Sequence, residues 1–284
     1  MNKFFQRYEK WGFPQEEIKL PKVIRVNTLK ITKEDLIKRL TAKKVKLTKI
    51  DYLDNGYTFE AAFSASSTPE YLFGYYYIQG AASQLPGQVL LPKPGEIVID
   101  TCAAPGSKTT EIAQYMNNEG MILALDSSHS RLQALVNNIE RMGVDNVVVL
   151  HKDALYVEDI GIEADAILLD APCSGNFAID ETWVEKRSFE DFSKKAKLQK
   201  QLLEAAWYSL KSGGRILYST CSLEIEENEE VIEWALDNLP GAELVTIEAK
   251  TGATGLTDKT KGCLRMWPAQ HKTQGFFMSM LKKQ

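Results

Sequence analysis

The chain has 284 residues, 44% of them hydrophobic and 25% charged, with a formal net charge of −4, enough for one large domain with a full core and a smaller one beside it. Its opening, MNKFFQRYEKWGFP, is charged and aromatic, and no apolar run approaches the ~18 residues of a membrane span, so a cytoplasmic protein is expected. Four cysteines, Cys102, Cys173, Cys221 and Cys263, show no C-x-x-C pair and no finger spacing; neither a disulfide framework nor a metal is expected.

In chain order, the first predicted element is a short helix in which Phe4, Phe5, Tyr8 and Trp11 form a stripe that reads as core rather than as a base-stacking platform. VIRVN, an amphipathic segment from Thr32 to Ala42, VKLTKI and GYTFE then predict a small α+β unit over residues 1–80. TPEYLFGYYYIQGAASQLPGQVLLPKPG joins it to residues 81–284. From residue 96 the pattern changes. EIVID, MILAL, NVVVL, AILLD and GRILYS are compact apolar runs that predict buried strands. Between and after them, SKTTEIAQYM, SSHSRLQALVNNIERMG, residues 188–211 and EENEEVIEWALDNL predict helices. The alternation makes a doubly wound, mostly parallel α/β sheet, which binds ligands at the carboxyl ends of its strands. Asp100, Asp126, Asp170 and Cys221 fall at those ends, with Cys173 three residues past one, and all five are expected in one crevice.

Charge is unevenly spread: residues 1–50 carry 14 Lys and Arg against 5 Asp and Glu, residues 250–284 carry 7 against 1, and residues 51–249 carry 13 against 32. Two basic ends suit a polyanion such as nucleic acid. Equally, Lys43, Lys44, Lys46 and Lys49 read as a solvated face. The acidic run from Glu224 to Glu230 reads as a solvated helix opening.

DTCAAPGSKTTEIA follows the first buried strand and opens a helix, yet it is neither a P-loop nor a G-x-G-x-x-G turn, which argues against a polyphosphate ligand. Cys102, Ala103, Ala104, Pro105, Gly106 and Ser107 form a tight small-residue turn that lets backbone approach a ligand and aims helix N–H groups at a carboxylate. Asp126 is placed for a ribose hydroxyl pair and Asp153 for an adenine amino group. Each aspartate alone reads as a turn cap; three in order on successive strand ends read as a site. A ligand with ribose, adenine and carboxylate but no phosphate is S-adenosylmethionine. Lys108 is expected to pair with a nearby aspartate or the ligand carboxylate. Arg131 either closes the pocket or sits on the helix surface.

CAAPGSKT, Asp126, DAPCSG, YSTCSLEIEENE and RMWPAQHKTQGFF, with RVNTLK near the start, resemble the ordered motifs of the Sun/Fmu-type RNA cytosine-5 methyltransferases, over about residues 23–281. The resemblance implies a Rossmann-like methyltransferase domain behind an RNA-recognition-like subdomain, with RNA as substrate, tRNA ahead of rRNA for so compact a chain, and a monomer. It explains two cysteines: carbon 5 of cytosine becomes nucleophilic only after a thiolate adds at carbon 6. In the family the nucleophile is the cysteine of the TC motif, here Cys221, and the cysteine after proline, here Cys173, assists product release. Asp170 is implied to contact the cytosine and favour protonation at ring nitrogen 3. Cys221, between a strand end and a helix start, is expected to have its pKa lowered by helix N–H groups. Ala269 and Gln274 depart from the family pattern, and His271 is retained. The alternatives are a DNA cytosine-5 methyltransferase, which attacks with its Pro-Cys thiol, and a cofactor-binding RNA chaperone without turnover.

Overall fold

A computed structural model describes residues 3–13 and 19–284. After helix α1 (Lys3–Lys10), strands β1 (Val23–Val26), β2 (Lys46–Lys49), β3 (Gly56–Glu60) and β4 (Tyr76–Ile78) form an antiparallel sheet in the order β2-β3-β1-β4, with helices α2 (Lys33–Ala42) and α3 (Pro69–Leu72). Helix α2 starts where Thr32 accepts a hydrogen bond from the Asp35 N–H. Its Leu36 and Leu40, one turn apart, pack with Ile24, Val26, Phe59 and Tyr76 into a separate small core.

The larger sheet follows α4 (Leu85–Leu90). Strands β5 (Ile97–Asp100), β6 (Met121–Asp126), β7 (Val147–His151), β8 (Ala164–Asp170) and β9 (Leu210–Thr220) alternate with α5 (Ser107–Met116), α6 (His129–Met142), α7 (Trp183–Lys186) and α8 (Phe189–Tyr208). Then come α9 (Glu229–Asn238), β10 (Ala242–Val245), β11 (Ala253–Thr254), β12 (Leu264–Met266), α10 (Pro268–His271) and β13 (Phe276–Lys283). Strands β7-β6-β5-β8-β9 run parallel, and β13, β12, β11 and β10 extend the sheet antiparallel beyond β9. The five expected strands are all present, and the sheet is mixed because β13 pairs antiparallel with β9 from 57 (277 − 220) or more positions away in sequence.

Both faces of the sheet are covered, which is why its strands read as continuous apolar runs. Val98, Ile122, Ala124, Ala166 and Leu168 face α4, α5 and α6, while Ile99, Leu123, Leu125, Ile167 and Leu169 face α8 and α9. The period of two puts successive residues into opposite cores.

Three residues of RVNTLK bind the small sheet to the large one. Arg25, fully buried, donates to Gln79 Oε1, to the Ser107 carbonyl at the start of α5 and to Thr110 Oγ1, and lies 3.4 Å from Glu111. Asn27 donates to the Gly74 and Met142 carbonyls, and Lys30 to those of Phe73 and Arg141. Helix α1 packs elsewhere: Phe4 and Tyr8 sit in a cluster with Trp183, Phe192, Leu223 and Trp267 of the large domain. The stripe on α1 is therefore core, as expected, but its partners belong to the far half of the chain.

Among the described residues no helix is long and apolar enough to cross a membrane, and no cluster of three metal-ligating side chains occurs.

Candidate active site

The chain reverses direction across the sheet between β5 and β8, the point at which a parallel α/β sheet opens a crevice beyond its carboxyl ends. A cleft of about 340 Å³ lies there, lined among others by Cys102, Ala104, Asp126, Arg131, Asp153, Asp170, Cys173 and Cys221. Of the residues singled out in the sequence, Asp100, expected in this crevice, is buried and does not line it, and Ala103, Pro105, Gly106, Ser107 and Lys108 do not line it either but shape the turn and the start of α5.

That turn is built around Gly106, whose φ of 102° is open to glycine and strained for other residues. Asp126 organises the turn from below: its carboxylate accepts from the Ala104 and Ser128 N–H groups at 3.1 and 2.9 Å and lies 3.2 Å from Arg131 Nη1. Arg131 also donates to the Ala104 carbonyl, so it closes this edge while its side chain remains 55% exposed. Asp153 caps the turn after β7 through Leu155 N–H and still faces the cleft. Capping and site-lining thus coexist in the same two carboxylates.

Asp170 ends β8 with both oxygens engaged: Lys108 Nζ donates to Oδ2 at 2.6 Å and Ser219 Oγ to Oδ1 at 2.7 Å. Of the two readings for Lys108, the structure shows the aspartate pair. Burial pulls the Lys108 pKa down, but Asp170 more than compensates and leaves it raised. Asp100 is buried one strand away, holds a hydrogen bond from Thr109, and is pushed up to about 7 by burial.

The two thiols meet. Cys173 Sγ and Cys221 Sγ are 2.9 Å apart although 48 positions separate them in sequence, and both are half-buried free cysteines. The contact splits their acidities: a hydrogen bond from Cys173 lowers the Cys221 pKa against the opposing effect of burial, and the same bond, reinforced by burial, raises Cys173 well above an ordinary thiol. Helix N–H groups play no part. Helix α9 begins only at Glu229, eight residues past Cys221, which corrects the expectation that a helix start activates this sulfur. Cys102, by contrast, is pushed up to about 12 by burial and is inert as a nucleophile at neutral pH.

The acidic run also departs from expectation. Glu224, Glu227 and Glu229 are fully buried rather than solvated. Tyr8 and Arg7 of α1 donate to Glu224, Arg265 clasps Glu229, and serine hydroxyls hold Glu227. Their partners lie as far as 217 positions away, so composition gave no sign of them. Of the seven carboxyl-terminal cations, four are paired within the chain: Arg265 with buried Glu229, Lys283 with the Trp207 and Leu210 carbonyls, and, at the surface, Lys259 with Asp237 and Lys261 with Asp258. Both basic ends leave cations in solvent: Lys38, Arg39, Lys44 and Lys49 are exposed in the first, and Lys250, Lys272 and Lys282 in the second.

His271 accepts from the Trp267 N–H at 2.8 Å and shapes its own turn. Gln274, one of the two departures from the family pattern, lies against Gly80, whose missing side chain leaves the space for it.

The family described as 16S rRNA methyltransferase RsmB/F matches residues 87–282, and the N-terminal domain of 16S rRNA methyltransferase RsmF matches residues 4–81. The chain belongs to the RsmB/F methyltransferase family. A relative from Schizosaccharomyces pombe, the 25S rRNA (cytosine-C(5))-methyltransferase nop2, is 38% identical over 288 residues, 95% of this chain and 47% of its own length. Ribosomal RNA small subunit methyltransferase F of Escherichia coli O9:H4 (strain HS) is 38% identical over 274 residues, 93% and 57%. The chain thus spans about half the length of the curated relatives it matches. Two solved structures from Pyrococcus horikoshii share the fold: a methyltransferase homolog protein with a TM-score of 0.86 at 42% identity, covering 94% of this chain and 87% of that one, and NSun6 with SFG, also 0.86, at 30% identity, covering 94% and 91%. RsmB/F methyltransferases depend on S-adenosylmethionine, and SFG is an analogue of it.

The cleft fits that cofactor by its donor set. Asp126 and Asp153 offer acceptors to hydroxyl and amino groups, and Leu198, Leu202, Ala154 and Ala171 give apolar surface for a base. The single arginine on the wall is already paired with Asp126, which leaves no cation cluster for phosphates.

Proposed function

We propose that this chain methylates carbon 5 of cytosine in RNA through a transient bond between Cys221 and carbon 6 of the base. The observation that carries the proposal is the thiol pair: two cysteines in contact at the mouth of a cofactor cleft, one made more acidic and the other less so by the same hydrogen bond. When bound, S-adenosylmethionine supplies the methyl group. Cys221, ionised, adds its sulfur to carbon 6, and the displaced electron pair raises the density at carbon 5. Asp170, fixed by Lys108 and Ser219, is the carboxylate at hand for the pyrimidine ring nitrogen. After the methyl group has been accepted, carbon 5 loses its proton to a base, the electrons return to the ring and the bond from sulfur to carbon 6 breaks. Cys173, protonated beside the leaving sulfur, assists that release.

Ribosomal RNA is the substrate class we propose, on the names of the relatives; the expectation of tRNA rests on compactness alone. The exposed cations of the small domain give a polyanion its landing surface.

The test is incubation of enzyme and cofactor with RNA carrying 5-fluorocytosine, whose carbon 5 cannot lose a proton. The wild-type protein is expected to form a covalent adduct stable to denaturing gels, Cys221→Ala to form none, and Cys173→Ala to retain adduct even on ordinary RNA. Absence of adduct with the wild-type protein overturns the covalent reading, and reversal of the two variants' behaviour assigns attack to Cys173 instead.

A further inference from the structure

Each of the two contacting cysteines is followed by a serine, and both serines turn to one buried carboxylate. Ser174, after Cys173, donates to Glu227 through its hydroxyl and through its N–H, the latter at 3.0 Å. Ser222, after Cys221, donates its hydroxyl to the same carboxylate at 2.8 Å. The two hydroxyl oxygens are 3.3 Å apart. Gln199 of α8 completes the set with a bond of 2.9 Å to Glu227, and its same amide group reaches the Pro172 carbonyl at 3.1 Å. All of these donors are neutral, and Glu227 is fully shielded from solvent. A carboxylate in such a place is tolerated only where donors replace the water it has lost.

The cysteine loops have no secondary structure of their own between β8 and α7 or between β9 and α9. Each is a loop held at its base by a strand. The serines one residue downstream of each sulfur meet at a single bridging carboxylate, Glu227.

We infer that Glu227 is the positioning residue of the thiol pair, a clamp that sets the distance between Cys173 and Cys221 by holding the serine behind each. The inference rests on the covalent reading above only for its consequence in turnover; the clamp itself concerns the free protein. Further bonds agree with it. Asn176 donates to the Cys221 carbonyl at 2.6 Å, and Asn228, next to Glu227, accepts from Thr220 Oγ1 and donates to the Ser222 carbonyl, so the backbone on both sides of the clamp is also tied. Burial raises the Glu227 pKa against the pull of its donors, and its charge opposes ionisation of both thiols. The lowering of Cys221 thus depends on contact with Cys173.

The test has two arms. In the first, the free protein is alkylated with iodoacetamide across pH 5–10 and the modified cysteines are resolved by peptide mass spectrometry. In Ser174→Ala and Ser222→Ala, each confirmed folded by thermal unfolding, the midpoint for Cys221 is expected to rise by about one pH unit, the size of one hydrogen bond to a charged group, and to approach that of Cys173→Ala. An unchanged midpoint in both folded serine variants overturns the clamp. In the second arm, adduct formation on 5-fluorocytosine RNA and adduct release on ordinary RNA are timed separately. Ser222→Ala and Ser174→Ala are both expected to slow formation roughly tenfold, Ser174→Ala to retain adduct in addition, and Glu227→Gln to show both defects. A fall of formation and release by one common factor, tracking the loss of thermal stability, also overturns it. A wild-type protein that forms no adduct defeats the covalent reading and leaves the first arm to decide the clamp.

Discussion

Lys108 Nζ lies 2.6 Å from Asp170 Oδ2, and the same ammonium is among the charges that lower the Cys221 pKa. One lysine therefore serves two groups of the site. Replacing it by alanine leaves Asp170 without its counter-ion and makes the Cys221 thiolate harder to form. The acidic limb of a kcat/KM profile is expected to move toward higher pH by about half a unit to one unit, with methyl incorporation at pH 7 down roughly tenfold. A profile of unchanged shape in Lys108→Ala refutes this role.

Gly106 caps the start of α5 at φ 102°, and a Cβ there would stand 3.0 Å from Leu135 Cδ1. Gly106→Ala is expected to lose about 1–2 kcal/mol of stability. Because the same turn forms the cofactor wall at Ala104, S-adenosylmethionine affinity should fall as well, which calorimetric titration reads directly.

Arg265 and Glu229 form an ion pair with both side chains fully buried, Arg265 Nε donating at 2.6 Å. Removing one member leaves a bare charge in the interior, so Arg265→Met is expected to cost about 3–5 kcal/mol in denaturant unfolding. The double variant Arg265→Met with Glu229→Gln should recover a large part of that loss. Equal destabilisation in the single and double variants would contradict the pairing argument.

Burial holds Asp100 at about 7, far above an ordinary aspartate, against a bond from Thr109 that pulls the other way. A carboxyl raised in the folded state favours the fold when protonated: its contribution is full below about pH 4 and is lost as pH rises through about 7. Asp100→Asn imitates the protonated form. Its melting temperature relative to wild type is expected to climb between about pH 4 and pH 7 and to level off above that. Glu111 and Glu224, held at about 7 by burial as well, keep the variant's own pH slope from vanishing altogether. A difference between the two proteins that stays constant with pH rules the assignment out.

What could be read from the sequence was local. Helix α5 spans the SKTTEIAQYM segment without a residue to spare, and the five parallel strands were visible because burial on both faces leaves a continuous apolar signature. The strand-end rule brought Asp126, Asp170 and both cysteines to one cleft and missed with Asp100, which is buried and lines no part of it. What stayed hidden was settled by distant partners. β13 reads as an apolar tail until β9 is placed beside it. Glu224, Glu227 and Glu229 look solvated until Tyr8, Ser174 and Arg265 arrive from elsewhere in the chain. Arg25 and Asn27, part of a motif noted only for its resemblance, join the two sheets, a role for which neither spacing nor charge gives a cue.

The docking of α1 has a mechanical corollary. The four-stranded unit is strapped down twice, once where Phe4 and Tyr8 are seated among Trp183, Phe192 and Trp267, and again where β4 runs on into α4, with Arg25 riveting its middle to α5. A lobe fastened at three points cannot swing as a free jaw. On the proposed function, a polynucleotide entering this crevice bends to the protein, since closing the protein upon it would mean tearing aromatic rings and a guanidinium from their seats.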